Sequence, residues 1–586
     1  MSRARIRSTG TGRRAAGAAA SRRRRGALAV VCLAALGVGG CASIPRSGPV
    51  HVVEAPPTES ASAQQDPSVS GPAQDATPEQ VVRDFLAAGQ GLDDDYAVAR
   101  QFLAPELAAT WRPSARTMVF SGAAGIQQGL AEDQVRVSVD ARAIIDSRGI
   151  MTRQEAGSSE ELDLELEQID GQWRISSAPD GILVPSSNLD ELYQPRNLYF
   201  LDPGGEYAVP DPRWFPDRQG ASTQLMRALL EGPAPYLEGA VETAYPDSAA
   251  LAEGTVVPIQ DGTAEVDLEM PGSEPGDLQS NEDMYAQAML TLGGLPDVED
   301  VELVLDGTPL DLGPLAESDL PARNVVVPSR QIALRDEQLV FHQGGQESPV
   351  PEVSESLSGL SPSDPAMDRG ADSFAALTRD GTAAVTFTAE APEPVERFSG
   401  EGLTAPSLDP QGWAWAVDGT GLVRAAPTDP QQTEVTEVEA TWLEGTAVSS
   451  LRISRGGTRA LIVTDEGDDS RILVAGVVRG TDGEPQRLND PYAVDTGGGE
   501  IMADAAWISD SEFVASARTD SATAPRIYEI SGRNRSLPIV ETGVQHLSGG
   551  NGDGEVFIES DGELRLLTGE SWSPQTDDIS DAAFTG

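Results

Sequence analysis

The stretch Phe374-Ala-Ala-Leu-Thr-Arg-Asp-Gly381, followed at once by Ala383-Ala-Val-Thr-Phe387, reads as a strand, a polar turn closed by glycine, and a second strand. The unit recurs. Ser407-Leu-Asp-Pro-Gln-Gly412 leads into Trp413-Ala-Trp-Ala-Val417, Leu451-Arg-Ile-Ser-Arg-Gly-Gly457 into Arg459-Ala-Leu-Ile-Val463, and Ala505-Ala-Trp-Ile-Ser-Asp510 into Phe513-Val-Ala-Ser516. Short apolar runs bounded by Gly, Asp and Pro are strand signals. Hairpins repeated with no helix between them are the pattern of sheets arrayed around an axis, a β-propeller. At about 40–45 residues per blade, residues 330–586 predict five or six blades. Gln331 to Phe341 is expected to supply the strand that closes the ring with the C-terminal blade. A pair of β-sandwiches is the rival arrangement, since the spacing between turns is irregular.

Upstream the texture changes. Between 198 and 312, Tyr199-Phe-Leu-Asp202 predicts a strand, and Ser222 to Glu231 a helix with Leu225, Met226, Leu229 and Leu230 inward, stopped by Gly232-Pro233. Strands are expected over Thr255 to Ile259 and Ala264 to Leu268, joined at Asp261-Gly262. A helix over Glu282 to Leu292 and a strand over Val301 to Leu305 end the unit. Leu-Leu-Glu-Gly-Pro at 229–233, the Gly262-to-Leu268 arm and Thr291-Leu-Gly-Gly-Leu-Pro296 make this order resemble a GerMN domain, a module of spore-germination and cell-envelope proteins. Each glycine and proline also has a purely structural use in ending a helix or making a turn.

Residues 77–190 predict a separate α+β domain. Thr77-Pro-Glu-Gln80 is an N-cap signal, and Val81, Val82, Phe85 and Leu86 form a helical apolar stripe. A second helix is expected over Tyr96 to Leu103, with Ala99, Phe102 and Leu103 inward. Strands at Val135 to Val139 and Leu162 to Glu167 follow, the latter turning at Asp170-Gly171 into Gln172-Trp-Arg-Ile175 around a buried Trp173. Helices first and a curved antiparallel sheet after resemble the NTF2-like type. The fold class is therefore multidomain: two α+β domains followed by an all-β propeller.

The first 25 residues carry nine arginines and no acid, and the apolar run Ala27 to Leu36 follows. That is a signal peptide, too short for a membrane-spanning helix of about 20 residues. Val38-Gly39-Gly40-Cys41 resembles a lipobox, so residues 1–40 are expected to be removed and Cys41 to carry S-diacylglycerol and an N-acyl chain. A twin-arginine route lacks the apolar residues expected just after the arginines, and nucleic-acid binding by Arg22 to Arg25 fits badly with an acidic remainder. Residues 41–76, rich in Pro, Ser, Ala and Gln, predict a flexible tether.

The chain has no lysine. Beyond residue 40 it holds 32 arginines against 93 acids, a formal net charge of −61, which argues against nucleic acid and polybasic membrane contacts. Cys32 lies in the signal peptide, so Cys41 has no disulfide partner. His51, His342 and His546 stand far apart, without metal-ligand spacing. No Gly-x-Ser-x-Gly elbow, His-Glu-x-x-His or Walker loop is present. Asp93-Asp-Asp95 and Asp465-Glu-Gly-Asp-Asp469 lack the EF-hand spacing and read as solvated turns. Trp413, Trp415, Trp442, Trp507 and Trp572 are the aromatics a glycan could stack on, yet most sit in strand patterns that bury them.

Taken in order, the lipobox, Cys41-Ala-Ser-Ile-Pro-Arg-Ser-Gly-Pro-Val50, the α+β unit, the GerMN unit and the propeller resemble the actinobacterial LpqB lipoprotein family. The resemblance implies a non-catalytic accessory protein without cofactor, held by lipid on the extracytoplasmic face of the cell membrane. Its implied partner is the extracytoplasmic region of a sensor histidine kinase of the MtrB type, in MtrA–MtrB control of envelope and division. An envelope glycan-binding protein or a cell-wall hydrolase is the alternative.

Overall fold

A computed structural model describes residues 71–586 apart from the short segments 92–93, 156, 219, 253, 272–277, 313–319, 351–352, 358, 466–469 and 497–500. The expected signal peptide, Cys41 and all but the end of the expected tether lie outside the described residues, as do Asp93 of the first aspartate-rich turn and residues 466–469 of the second.

The N-terminal unit starts where its cap predicts. The Thr77 hydroxyl accepts from the Gln80 amide at 3.4 Å, Pro78 opens α1 (Pro78–Ala88), and Val81, Val82 and Phe85 are buried. The second helix is shorter than expected. Asp95 and Tyr96 are left-handed (φ 51° and 60°), so α2 covers only Ala97–Arg100. Ala99, Phe102 and Leu103 are nonetheless buried as the pattern requires, Leu103 bridging to Ile175. After α3 (Pro105–Thr110) come β1 (Arg116–Gln128), β2 (Gln134–Asp146), β3 (Met151–Arg153), β4 (Ser159–Ile169), β5 (Gln172–Ser177) and β6 (Ile182–Pro185). They form a sheet in the order β5-β4-β2-β1-β6, with β3 beside β2. Two register shifts between β1 and β2 bend it. Asp170 and Gly171, both at positive φ, make the β4–β5 turn. Trp173 is only half-buried, because it packs on the edge of this core rather than within it.

After the short α4 (Leu189–Leu192), the chain makes a ribbon that the sequence pattern shows only in part: β7 (Tyr193–Leu201) paired along its whole length with β8 (Ala208–Pro216). Pro195, Pro210 and Pro212 lack an amide donor, which suits a two-stranded ribbon whose strands are both edges. Tyr193 and Trp214 enter the N-terminal core, whereas Leu198, Phe200, Val209 and Phe215 enter the next one.

The middle unit holds α5 (Ala221–Leu230), β9 (Ala250–Leu251), β10 (Ile259–Gln260), β11 (Thr263–Glu269), α6 (Leu278–Leu292), β12 (Asp300–Leu305) and β13 (Thr308–Pro309). β11 and β12 run parallel, connected through α6. Gly232 at φ 86° follows α5, as its position predicts. Leu225, Met226 and Leu229 are buried and Leu230 is half-buried. The strand expected over Thr255 to Ile259 shrinks to Ile259–Gln260. Val257 instead donates its amide to the Thr223 hydroxyl, and Pro258 has none to give.

From Gln331 on, six sheets are present among the described residues. Their innermost strands are Ser580–Ala583 (blade 1), Ser363–Met367 (blade 2), Ser407–Leu408 (blade 3), Ala447–Ile453 (blade 4), Asp504–Trp507 (blade 5) and His546–Gly549 (blade 6), and each contacts the next around a closed ring. The ring closes where Gln331–Arg335 pairs with Ser580–Ala583, so the start and the end of this domain share blade 1. This is a six-bladed propeller rather than a sandwich pair.

The three parts are packed on one another. One continuous apolar core joins the ribbon, the middle unit and blades 4 and 5, including Leu198, Phe200, Leu461, Val474, Trp507 and Phe513. Asn489 Nδ2 donates to the carbonyls of Tyr236 (3.2 Å) and Glu238 (2.8 Å), and Tyr236 and Tyr492 rings lie 5.6 Å apart. A Cβ on Gly476 would sit 2.4 Å from the Tyr236 carbonyl oxygen, so the close approach of blade 4 to the middle unit requires glycine. Gly476→Ala is expected to lower stability by about 1–3 kcal/mol, read as a reduced urea midpoint. Gly554→Ala, with open space around its Cβ, is expected to leave stability within about 0.5 kcal/mol of the parent.

Candidate functional site

The inner strands bring together side chains that are far apart in sequence. A small cavity of about 30 Å³ opens on the propeller axis, lined among others by Asp364, Arg452, Trp507, His546, Ser548 and Gly586. Buried Asp504 connects two of these residues: it accepts from the Ser450 hydroxyl at 3.2 Å and lies 3.5 Å from His546 Nδ1, 3.5 Å from Arg518 and 4.0 Å from Arg452. His546 Nε2 lies 3.2 Å from the Ala582 carbonyl, and the Ala582 amide donates to Glu559 at 2.7 Å. Blade 6 thus grips the closing strand of blade 1 by side chains as well as by packing. Both His546 nitrogens face groups of the protein, and the Ser450 hydroxyl serves a carboxylate rather than an imidazole. The arrangement is a latch on ring closure, not a serine–histidine relay.

Asp581 on the closing strand is pushed up to about 6, chiefly by burial and then by the neighbouring Asp364 and Glu559 carboxylates, against the lowering effect of His546. A carboxyl held above its unfolded value binds its proton more tightly when folded. Its contribution to stability is therefore full at low pH and lost as pH rises through about 6. Asp581→Asn keeps the left-handed backbone (φ 54°) accessible. The variant is expected to match the parent near pH 4 and to be the more stable at pH 7.5, as measured by urea midpoints at both pH values.

His342 and His546, the histidines among the described residues, share no metal-type cluster. His342 is buried beside the Phe557 ring (6.3 Å), without a hydrogen-bond partner at either nitrogen among the described residues, and burial lowers its pKa. Among the described residues no cluster of His, Cys, Asp and Glu has metal-site geometry. The propeller tryptophans are largely structural. Trp415 and Trp507 are buried, donating to Asp409 (2.8 Å) and to the Arg452 carbonyl (3.2 Å), while Trp572 is half-buried and donates to the Pro538 carbonyl (2.8 Å). Trp413 and Trp442 are also only half-buried. The channel cluster had no sequence signal, because its members come from separate blades and meet only when the ring closes. No helix among the described residues is long and apolar enough to cross a membrane.

Comparison with known proteins matches three family models in succession: the N-terminal domain of lipoprotein LpqB over residues 71–190, a sporulation and spore germination domain over 197–311, and the lipoprotein LpqB beta-propeller domain over 337–583. Lipoprotein LpqB of Rhodococcus jostii is 28% identical over 87% of this chain and 89% of its own. That of Mycolicibacterium smegmatis is 27% identical over 87% and 89%, and that of Streptomyces coelicolor 26% identical over 94% and 97%. Among solved structures, TolB from Acinetobacter baumannii aligns with 44% of this chain and 66% of its own at 15% identity and a TM-score of 0.32, too loosely to add to the blades themselves. With LpqB models on both sides of the germination-type unit, and relatives of that name aligned over most of its length, the chain belongs to the LpqB lipoprotein family.

Proposed function

We propose that this chain is a non-catalytic accessory protein, anchored through lipidated Cys41 on the extracytoplasmic face of the cell membrane, that binds the sensor region of a histidine kinase of the MtrB type. In this reading residues 1–40 are removed and 41–76 form the tether. Domains at 77–190, 198–312 and 330–586 are then presented as one body. The observation that carries the proposal is the shared core of ribbon, middle unit and propeller in a member of a lipoprotein family. A rigid surface loses little conformational entropy on docking. A tether into the partner's own membrane raises the effective concentration, so a modest contact suffices. An effect on signalling then requires different affinities for the kinase's two states.

The test places the lipidated chain and the kinase sensor region in the same vesicles and measures their association. Saturable binding is expected, and Cys41→Ser is expected to release the chain from the vesicles and weaken binding at equal bulk concentration. Absence of binding with both partners folded and tethered would remove the kinase reading. Turnover of cell-wall fragments, abolished by one carboxylate substitution, would replace it with the hydrolase.

A further inference from the structure

A cleft of about 470 Å³ lies between the N-terminal unit, the ribbon and blade 5. Met151 of β3, Leu189 of α4, Trp214 of β8 and Ile527 of blade 5 give it apolar walls. A second hollow of about 250 Å³, between the ribbon and blade 5, shares Glu529, Ser531 and Arg533 with it. The space suits a chain segment rather than a bare ion.

Six charged side chains line the cleft, and four of them are matched within the protein. Arg533 donates to Gln194 at 2.8 Å, lies 3.7 Å from Asp190 and sits 5.6 Å from the centre of the Trp214 ring. Arg535 is paired with Asp553, and Asp495 with Arg153 at 3.7 Å. Glu512 and Glu529 are left over. They stand directly opposite each other on neighbouring strands of blade 5, Glu512–Ser516 and Arg526–Glu529, so both side chains leave the sheet on the face that lines the cleft. Glu512 accepts from the Ser509 hydroxyl at 3.5 Å and Glu529 from that of Ser531 at 2.9 Å; neither has an ion-pair partner among the described residues. Like charges facing across two strands destabilise a sheet. Burial raises the Glu512 carboxyl, as do the Asp553 and Glu529 carboxylates, against the lowering effect of Arg535. A cation entering the cleft relieves this repulsion. No third ligand joins the pair in metal-site geometry among the described residues, which favours an organic cation.

We propose that this cleft docks an arginine-bearing loop of a protein partner, with the aliphatic stem against Met151, Leu189 and Ile527 and the guanidinium between Glu512 and Glu529. The planar head of arginine matches carboxylates, and its stem favours apolar surface. The formal charge of −61 beyond residue 40 draws a basic surface toward the chain. The proposal concerns a surface and not the protein that presents the loop, so it does not rest on the kinase reading.

The test titrates the mature chain (41–586), produced without lipid, with the peptide acetyl-Leu-Arg-Leu-amide and with its uncharged citrulline counterpart. Saturable 1:1 binding of the arginine peptide is expected, with the citrulline peptide about tenfold weaker. Glu512→Gln and Glu529→Gln are each expected to weaken the arginine peptide about tenfold and to leave the citrulline peptide unchanged. At pH 7 the ligand-free Glu512→Gln chain is expected to unfold at a higher urea concentration than the parent, because a like-charge pair is gone. Glu570→Gln, which removes an exposed carboxylate of blade 6 outside the cleft, is expected to change neither reading. No saturable binding to the parent, or binding indifferent to both cleft variants, overturns the proposal. A Glu512→Gln chain less stable than the parent overturns it too, by making that carboxylate part of the fold. Agmatine binding as tightly as the peptide would replace the docked loop with a free small cation.

Discussion

Replacing Asp211 with alanine is expected to destabilise the folded body by about 3–5 kcal/mol, the largest effect of any single substitution in the ribbon. Asp211 and Arg213 are both fully buried, 2.6 Å apart. Asp211 also accepts from the Ala234 amide at 2.9 Å, and Arg213 donates to the carbonyls of Arg148 (3.2 Å) and Gly232 (3.1 Å). The pair therefore ties the N-terminal unit, the ribbon and the middle unit at one point. Removing the carboxylate leaves a guanidinium buried without its counter-charge, which costs far more than the pair contributes over an apolar equivalent. The double variant Asp211→Ala with Arg213→Met is accordingly expected to recover part of the loss. Urea unfolding followed by tryptophan fluorescence reads both. A double variant no better than the single one would show that the backbone contacts, not the stranded charge, carry the effect.

Arg455→Met is expected to cost about 3–5 kcal/mol and to loosen the propeller ring first. Arg455 is 3% exposed, and its guanidinium donates to four carbonyls: Trp507 (2.8 Å), Ile508 (3.2 Å), Gly549 (3.2 Å) and Gly550 (2.6 Å). A single side chain of blade 4 thus holds blades 5 and 6. Burial lowers its pKa to about 10, which leaves it charged at neutral pH. Methionine fills similar space but strands those carbonyls. Amide exchange should accelerate at 505–515 and 546–558 before it does in β1 and β2. Uniform acceleration throughout the chain would contradict a local role.

Most of the architecture is legible because its signals are local. Thr77-Pro78 fixes a helix start by one hydroxyl and one ring, and Phe374 to Phe387 states strand, turn and strand within a dozen or so residues. The stretch around Asp211 behaves differently: Pro210-Asp-Pro-Arg213 has no strand pattern, because two charges and two prolines are tolerated there only by partners elsewhere in the chain. Val256-Val-Pro258 errs in the opposite direction. Its β-branched residues suggest a strand, but the Thr223 hydroxyl takes the amide that a ladder would use. The channel latch is invisible for a third reason: ring closure brings His546 and Glu559 of blade 6 against Asp504 of blade 5 and the Ala582 backbone of blade 1. Cys41 is the reverse case, a candidate site written entirely in its flanking sequence.

The central claim is that ribbon, middle unit and propeller share one core and so behave as one body. Calorimetry of the full chain at neutral pH tests it most directly. A single cooperative transition, moved as a whole by Asp211→Ala and by Gly476→Ala, is the expected result. Separate transitions for the middle unit and the propeller, with Gly476→Ala shifting only one of them, would contradict it.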